Sequence, residues 1–102
     1  MEIDIYTLAA ARSRDVTVID VRELHEYHAG HVPGARLIPL GELATRVREL
    51  GRERVHVICA SGNRSLVAAR WLRTQGFDAV SVAGGTTEWA NAGLPVEVGT
   101  ST

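Results

Sequence analysis

The sequence predicts an α/β fold: a parallel sheet with helices packed on both faces. Two observations carry this. Short β-branched, apolar runs such as Val16-Thr17-Val18-Ile19 and Val55-His56-Val57-Ile58 have the pattern of strands covered on both sides. Segments of helical periodicity lie between these runs, and strand–helix alternation at this pace closes into parallel crossovers.

The elements follow in order. Ile3 ends a short first strand, and Asp4 caps a helix carrying Leu8 and the alanines 9 to 11. Val16 to Asp20 forms the second strand. Arg22 to Ala29 is a short helix stopped at Gly30, and His31-Val32-Pro33-Gly34-Ala35 is a turn-bearing loop before a brief strand at Leu37-Ile38. Leu40, Leu43, Ala44, Val47 and Leu50 recur at helical spacing and predict an amphipathic helix ended by Gly51. Glu42 and Arg46 form a supporting i,i+4 pair on its other face. Val55 to Ile58 is the next strand. After a loop at Cys59, a helix with Ser65 as its N-cap runs to Gln75 and stops at Gly76. Ala79 to Val82 is the last strand, and Gly84-Gly85 turns into a final helix holding Trp89. Residues 1–98 form one domain, and 99–102 read as a frayed tail.

Bulk composition narrows the function. A chain of 102 residues holds one core. Eleven basic residues, all arginine, against twelve acidic ones leave a net charge of −1, so neither nucleic acid nor an anionic membrane is an expected partner. The apolar stretch Ile5 to Ala11 follows acidic residues and precedes Arg12 and Arg14, the reverse of a signal peptide. No run approaches the ~18 apolar residues of a membrane span. A single cysteine excludes an intramolecular disulfide and a zinc site built from cysteine pairs, and it fits a reducing compartment. The expectation is a cytoplasmic monomer with no metal and no cofactor.

That cysteine opens the run Cys59-Ala60-Ser61-Gly62-Asn63-Arg64-Ser65, between a buried strand and a helix. In open α/β sheets, ligands bind beyond the C-terminal strand ends, where Cys59, Asp20 and Gly84-Gly85 all fall. A free thiol with a pKa near 8.5 is only about 3% thiolate at pH 7, but a helix N-terminus with a nearby cation can bring it to roughly 3.5–7.5. Unpaired N–H groups there present partial positive charge. Gly62 lets the backbone approach a small anion closely. Arg64 can pair with that anion, while Ala60, Ser61, Asn63 and Ser65 complete the binding loop. A lone cysteine ending an apolar strand is also what a buried, inert hydrophobe looks like. The joint presence of a strand end, a small-residue loop, an arginine and a helix start favours an anion-handling site. It does not name the reaction.

Here the sequence resembles the rhodanese family of sulfurtransferase domains. Cys59-Ala60-Ser61-Gly62-Asn63-Arg64-Ser65 is similar to its Cys-x-x-Gly-x-Arg-Ser active-site loop. Asp20-Val21-Arg22-Glu23, Glu26-Tyr27, Gly30-His31-Val32-Pro33-Gly34-Ala35 and Ile38-Pro39-Leu40 resemble its first signature. Gly84-Gly85 with Trp89 and Gly93-Leu94-Pro95-Val96 resembles its C-terminal one. The resemblance implies a three-layer α/β/α domain with a five-stranded, mostly parallel sheet in the order 1-5-4-2-3. It also implies that Cys59 takes a sulfur from a small anionic donor such as thiosulfate, becomes a persulfide, and passes the sulfur to a thiol, a protein acceptor or cyanide. Arg64 would attract the donor, and the loop N–H groups would stabilise the persulfide.

The remaining matched residues read as supports. Asp20 and Arg22 are expected to form an ion pair or brace the loop rather than perform acid–base chemistry. His31 is expected to make a structural hydrogen bond in its turn. His25, His28 and His56 form no recognisable metal spacing with Cys59 and read as surface or packing residues. Trp71 and Trp89 read as core, and Glu26 as a surface or loop-bracing carboxylate. Three rival functions remain. A cysteine phosphatase or arsenate reductase needs Cys-x5-Arg, and here the gap from Cys59 to Arg64 is one residue short. A non-catalytic rhodanese-like binding module is disfavoured by the intact loop. A persulfide relay between proteins uses the same residues as the thiosulfate enzyme.

Overall fold

The computed structural model describes residues 1–100. Its five strands are β1 (Glu2–Ile3), β2 (Thr17–Asp20), β3 (Arg36–Leu37), β4 (Val55–Ile58) and β5 (Ala79–Val82), in the sheet order β1-β5-β4-β2-β3. All four pairings are parallel. β4 and β5 are buried along their whole length, as central strands covered on both faces must be. Alternation along β4 sends Val55, Val57 and Cys59 into one core with Ala68, Ala69 and Leu72, while Ile58 joins a second core with Leu8, Val82 and Trp89. The three-layer α/β/α expectation and its strand order hold.

The helices are α1 (Ile5–Ala11), α2 (Leu24–Ala29), α3 (Leu43–Arg46), α4 (Asn63–Thr74) and α5 (Gly85–Asn91). Asp4 caps α1 as predicted, accepting from the Thr7 N–H at 2.8 Å. α4 ends in a Schellman pattern: Gly76 takes φ +92°, its N–H reaches Arg73 O at 3.1 Å, and Phe77 N–H reaches Leu72 O at 3.0 Å.

β3 sits one residue earlier than the predicted Leu37-Ile38, β2 starts one residue later than predicted and α4 ends one residue earlier, while three boundaries differ by more. The helix predicted from Arg22 begins only at Leu24, because Arg22 turns back onto Asp20 while Glu23 and Glu26 form a capping box. The amphipathic helix predicted over 40–50 is α3 flanked by 3₁₀ turns at Leu40–Glu42 and Val47–Glu49. Its apolar spacing explains this: Leu40 to Leu43 and Val47 to Leu50 are three apart, which eclipses them in a 3₁₀ turn, whereas Leu43 to Val47 is four apart. Leu40, Leu43, Val47 and Leu50 still meet the core. Finally, Gly62, not Ser65, is the N-cap of α4, at φ +109°. Of the tail predicted at 99–102, residues 101 and 102 lie outside those described, and the Gly99 N–H reaches His28 O at 2.7 Å.

Candidate functional site

Cys59 directly follows β4 and is 1% exposed, on the floor of its loop. The left-handed turn at Gly62 folds the loop back so that the Gly62 N–H donates to the Cys59 sulfur at 3.1 Å and the Ser65 N–H at 3.3 Å. The Sγ in turn donates to Ser65 Oγ at 3.4 Å. Burial is the largest single influence on the thiol and pushes its pKa up, since it disfavours the charged form. The Ser65 hydroxyl and the N–H groups of Ser65, Gly62 and Ser61 together outweigh that, and the net shift is downward. Ser61 and Asn63 stand exposed on the rim of the loop.

The N-terminus of α5 fixes the loop from beneath. Thr86 N–H donates to Cys59 O at 2.8 Å and Thr87 N–H to Ala60 O at 3.0 Å. With these carbonyls held by α5, the loop that turns the Gly62 and Ser65 N–H groups onto the sulfur is fixed at its start. Gly85 makes this approach possible: a Cβ there would lie 2.5 Å from both Ala60 O and Cys59 O. The sequence reading took Gly84-Gly85 as a turn at the ligand-binding end of the sheet and as part of the C-terminal signature. The geometric partner of the cysteine loop is the second glycine.

Arg64, expected to attract an anionic donor, has a partner within the protein. Both ends of its guanidinium bind Glu26, at 2.7 and 2.8 Å. The Arg64 hydrogen bonds are the main reason the Glu26 pKa falls to about 2, and Glu26 raises that of Arg64. Glu26 Oε1 also accepts from the Glu23 N–H at 3.0 Å, so the carboxylate that caps α2 braces α4 as well. The side chain expected to wait for an anion already holds one.

The other matched residues make contacts of the supporting kind expected of them. Asp20 and Arg22 form a buried pair with contacts from 2.8 to 3.2 Å, and Arg22 also donates to Gly30 O at 2.8 Å. This ties the end of β2 to the loop after α2. His31 Nδ1 meets Tyr27 O at 2.8 Å and its ring stacks on Tyr27 at 3.7 Å. His31 also pairs through its backbone with Glu97. His25 and His28 are exposed, while His56 is buried, with Nδ1 3.1 Å from Thr17 O. Trp89 is fully buried, whereas Trp71 is only partly buried against the core. Among the described residues no three His, Cys, Asp or Glu side chains cluster as metal ligands, and no helix is long and apolar enough to cross a membrane.

A sequence model of the rhodanese-like domain matches residues 6–92. The chain belongs to the rhodanese family. It is 35% identical over 99 residues to a sulfurtransferase of Allochromatium vinosum, covering 93% of this chain and 92% of that one. It is 43% identical over 76 residues to YrkF of Bacillus subtilis, covering 72% of this chain but 41% of YrkF. The chain spans less than half of the length of that relative, and 39% of another curated relative. The crystal structure of a rhodanese-related protein from Thermoplasma volcanium superposes with a TM-score of 0.90 at 36% identity, over 95% of this chain and 97% of that one. Sulfur transfer is the general activity of the rhodanese family, and it is the activity named for the Allochromatium vinosum relative.

Proposed function

We propose that this rhodanese domain is a sulfurtransferase that carries a sulfane sulfur on Cys59, taken from thiosulfate or another persulfide donor and given to a thiophilic acceptor. The observation that carries this reading is the convergence of the Gly62 N–H and the Ser65 N–H on one sulfur at the end of β4. Donors fixed in advance stabilise a thiolate, and then the anionic outer sulfur of a persulfide, without reorganising when charge appears. With thiosulfate, the Cys59 thiolate attacks the outer sulfur, a new S–S bond forms, and the old one breaks with its electron pair leaving on sulfite. An acceptor such as cyanide then takes the outer sulfur as thiocyanate and returns the thiolate.

A persulfide relay between proteins is the second reading, and the Arg64–Glu26 pair favours it. An arginine already neutralised by a carboxylate attracts a dianion weakly, which suits a less charged persulfide donor better than thiosulfate. YrkF, which carries the name of a candidate sulfur carrier, is consistent with that role.

Intact-mass measurement tests both. Incubation with thiosulfate is expected to add one sulfur, about 32 Da, removed by cyanide and absent from Cys59→Ser. Loading from a protein persulfide but not from thiosulfate selects the relay. An unmodified mass with every donor overturns the proposal.

A further inference from the structure

Ser81 is the only hydroxyl side chain in β5, a strand otherwise made of alanine and valine. It is fully buried and lies opposite Val57 in the register with β4. A buried hydroxyl without a partner costs stability, so its hydrogen bond is the place to look for its purpose. Its one side-chain partner among the described residues is Ser65 Oγ, at 2.7 Å. Ser65 Oγ in turn lies 3.4 Å from the Cys59 sulfur and 3.1 Å from Gly62 O.

Counting protons fixes the direction of these bonds. A serine hydroxyl has one proton and two lone pairs. The Ser81 proton finds its acceptor at Ser65 Oγ; were Ser65 the donor instead, the Ser81 proton would be stranded in the core. We propose that Ser81 is a positioning residue for the cysteine site: its hydroxyl donates to Ser65 Oγ and thereby reserves the Ser65 proton for the Cys59 sulfur. In the thiol state the sulfur proton fills the second lone pair of Ser65, and the Ser65 proton rests on Gly62 O. When the sulfur becomes anionic, the Ser65 proton turns to it. Gly62 O keeps the N–H of Leu66 at 3.1 Å, so nothing is orphaned by the switch. A hydroxyl that accepts one hydrogen bond is also a stronger donor of the next.

The inference rests on Cys59 being the reacting thiol and deepens the proposed site. Charged groups flanking the loop are Arg64, held by Glu26, and the Asp20–Arg22 pair, and the variants below alter none of them. Cys59 is the sole thiol, so its alkylation by iodoacetamide reads this site alone. Ser81→Ala is expected to move the pH profile of alkylation upward and slow it about threefold or more on the acidic side. Ser65→Ala should move it at least as far, and the double variant should match Ser65→Ala, because Ser81 acts through Ser65. A wild-type profile in Ser81→Ala, or additive shifts in the double variant, overturns the proposal. If Ser81→Ala does not fold, Ser81→Thr and Ser81→Val share one shape and differ in the hydroxyl. Thr should keep the wild-type profile and Val should not; equal profiles overturn it. Alkylation needs no sulfur donor, so failure of the sulfur-transfer reading is seen separately, as a mass that never gains sulfur.

Discussion

At the scale of single residues, two opposing effects act on one sulfur. Burial raises the thiol pKa, and the donors of Ser65, Gly62 and Ser61 overcome it. The folded thiol therefore releases its proton more readily than the same thiol in the unfolded chain. The sign for activity follows: sulfur loading should rise with pH through a midpoint below that of the same thiol in the unfolded chain. A loading midpoint at or above that of the unfolded chain's thiol would remove the loop donors from the mechanism. For stability the same shift works in the same direction. The thiolate's contribution is fully present above the unfolded thiol pKa and is lost as pH falls through the folded one. Cys59→Ser removes the thiolate but leaves an oxygen that can accept from the same N–H groups, so it should abolish loading with little change in stability. The sequence allowed this much, because Cys59, Gly62 and Ser65 lie within one loop. Ser81 was not legible, since a serine in an apolar strand gives no hint that a residue sixteen positions earlier would need it.

At the scale of elements, the cysteine loop is held between α2, α4 and α5. The Arg64–Glu26 bridge joins α2 to α4 with both partners partly exposed, and such a pair contributes at most about 1 kcal/mol to stability. Its consequence lies in the charge presented to a donor. Glu26→Gln should release Arg64 and lower the KM for thiosulfate several-fold, while kcat changes little. Arg64→Ala should raise that KM. Steady-state kinetics in both variants decide the matter, and an unchanged KM in both would leave the bridge a structural strut. Glu26 was readable only as a carboxylate near the loop; sequence spacing carries no information on which arginine a helix thirty-eight residues away will present to it. The α5 contact makes a separate demand. Gly85→Ala would drive a Cβ into two backbone carbonyls at 2.5 Å and adds the strain of φ +59°. Backbone cannot yield as a flexible side chain does, so the loss should reach about 1–3 kcal/mol, with slower sulfur loading from the displaced loop. A Gly85→Ala protein that melts and loads like wild type would deny α5 its role as the loop's foundation.

At the scale of the whole molecule, the two cores on either side of the sheet do different work. One contains Cys59 together with Ala68, Ala69 and Leu72, so the helix that presents N–H groups to the sulfur is anchored in the same packing that buries it. The alternation of elements and the apolar runs made the layers legible in the sequence. They left open how α3 would wind, because an apolar spacing that mixes threes and fours fits both an α-helix and tighter turns. Leu72 tests whether the site is a rigid extension of its core. It is fully buried on α4, two turns past the sulfur-binding N–H groups, and its carbonyl also closes the helix by accepting from Phe77. Leu72→Ala removes buried methyl groups and leaves a cavity, a change that costs about 2–5 kcal/mol. Against a domain stability of roughly 5–15 kcal/mol the variant should still fold at 25 °C, with a lower urea midpoint and an unchanged slope. Its Cys59 should nevertheless load sulfur at close to the wild-type rate, because the donors on the sulfur come from the first turn of α4, which Thr86 and Thr87 hold through the cysteine loop. A rate that falls in step with stability would instead make the sulfur site part of the cooperative core.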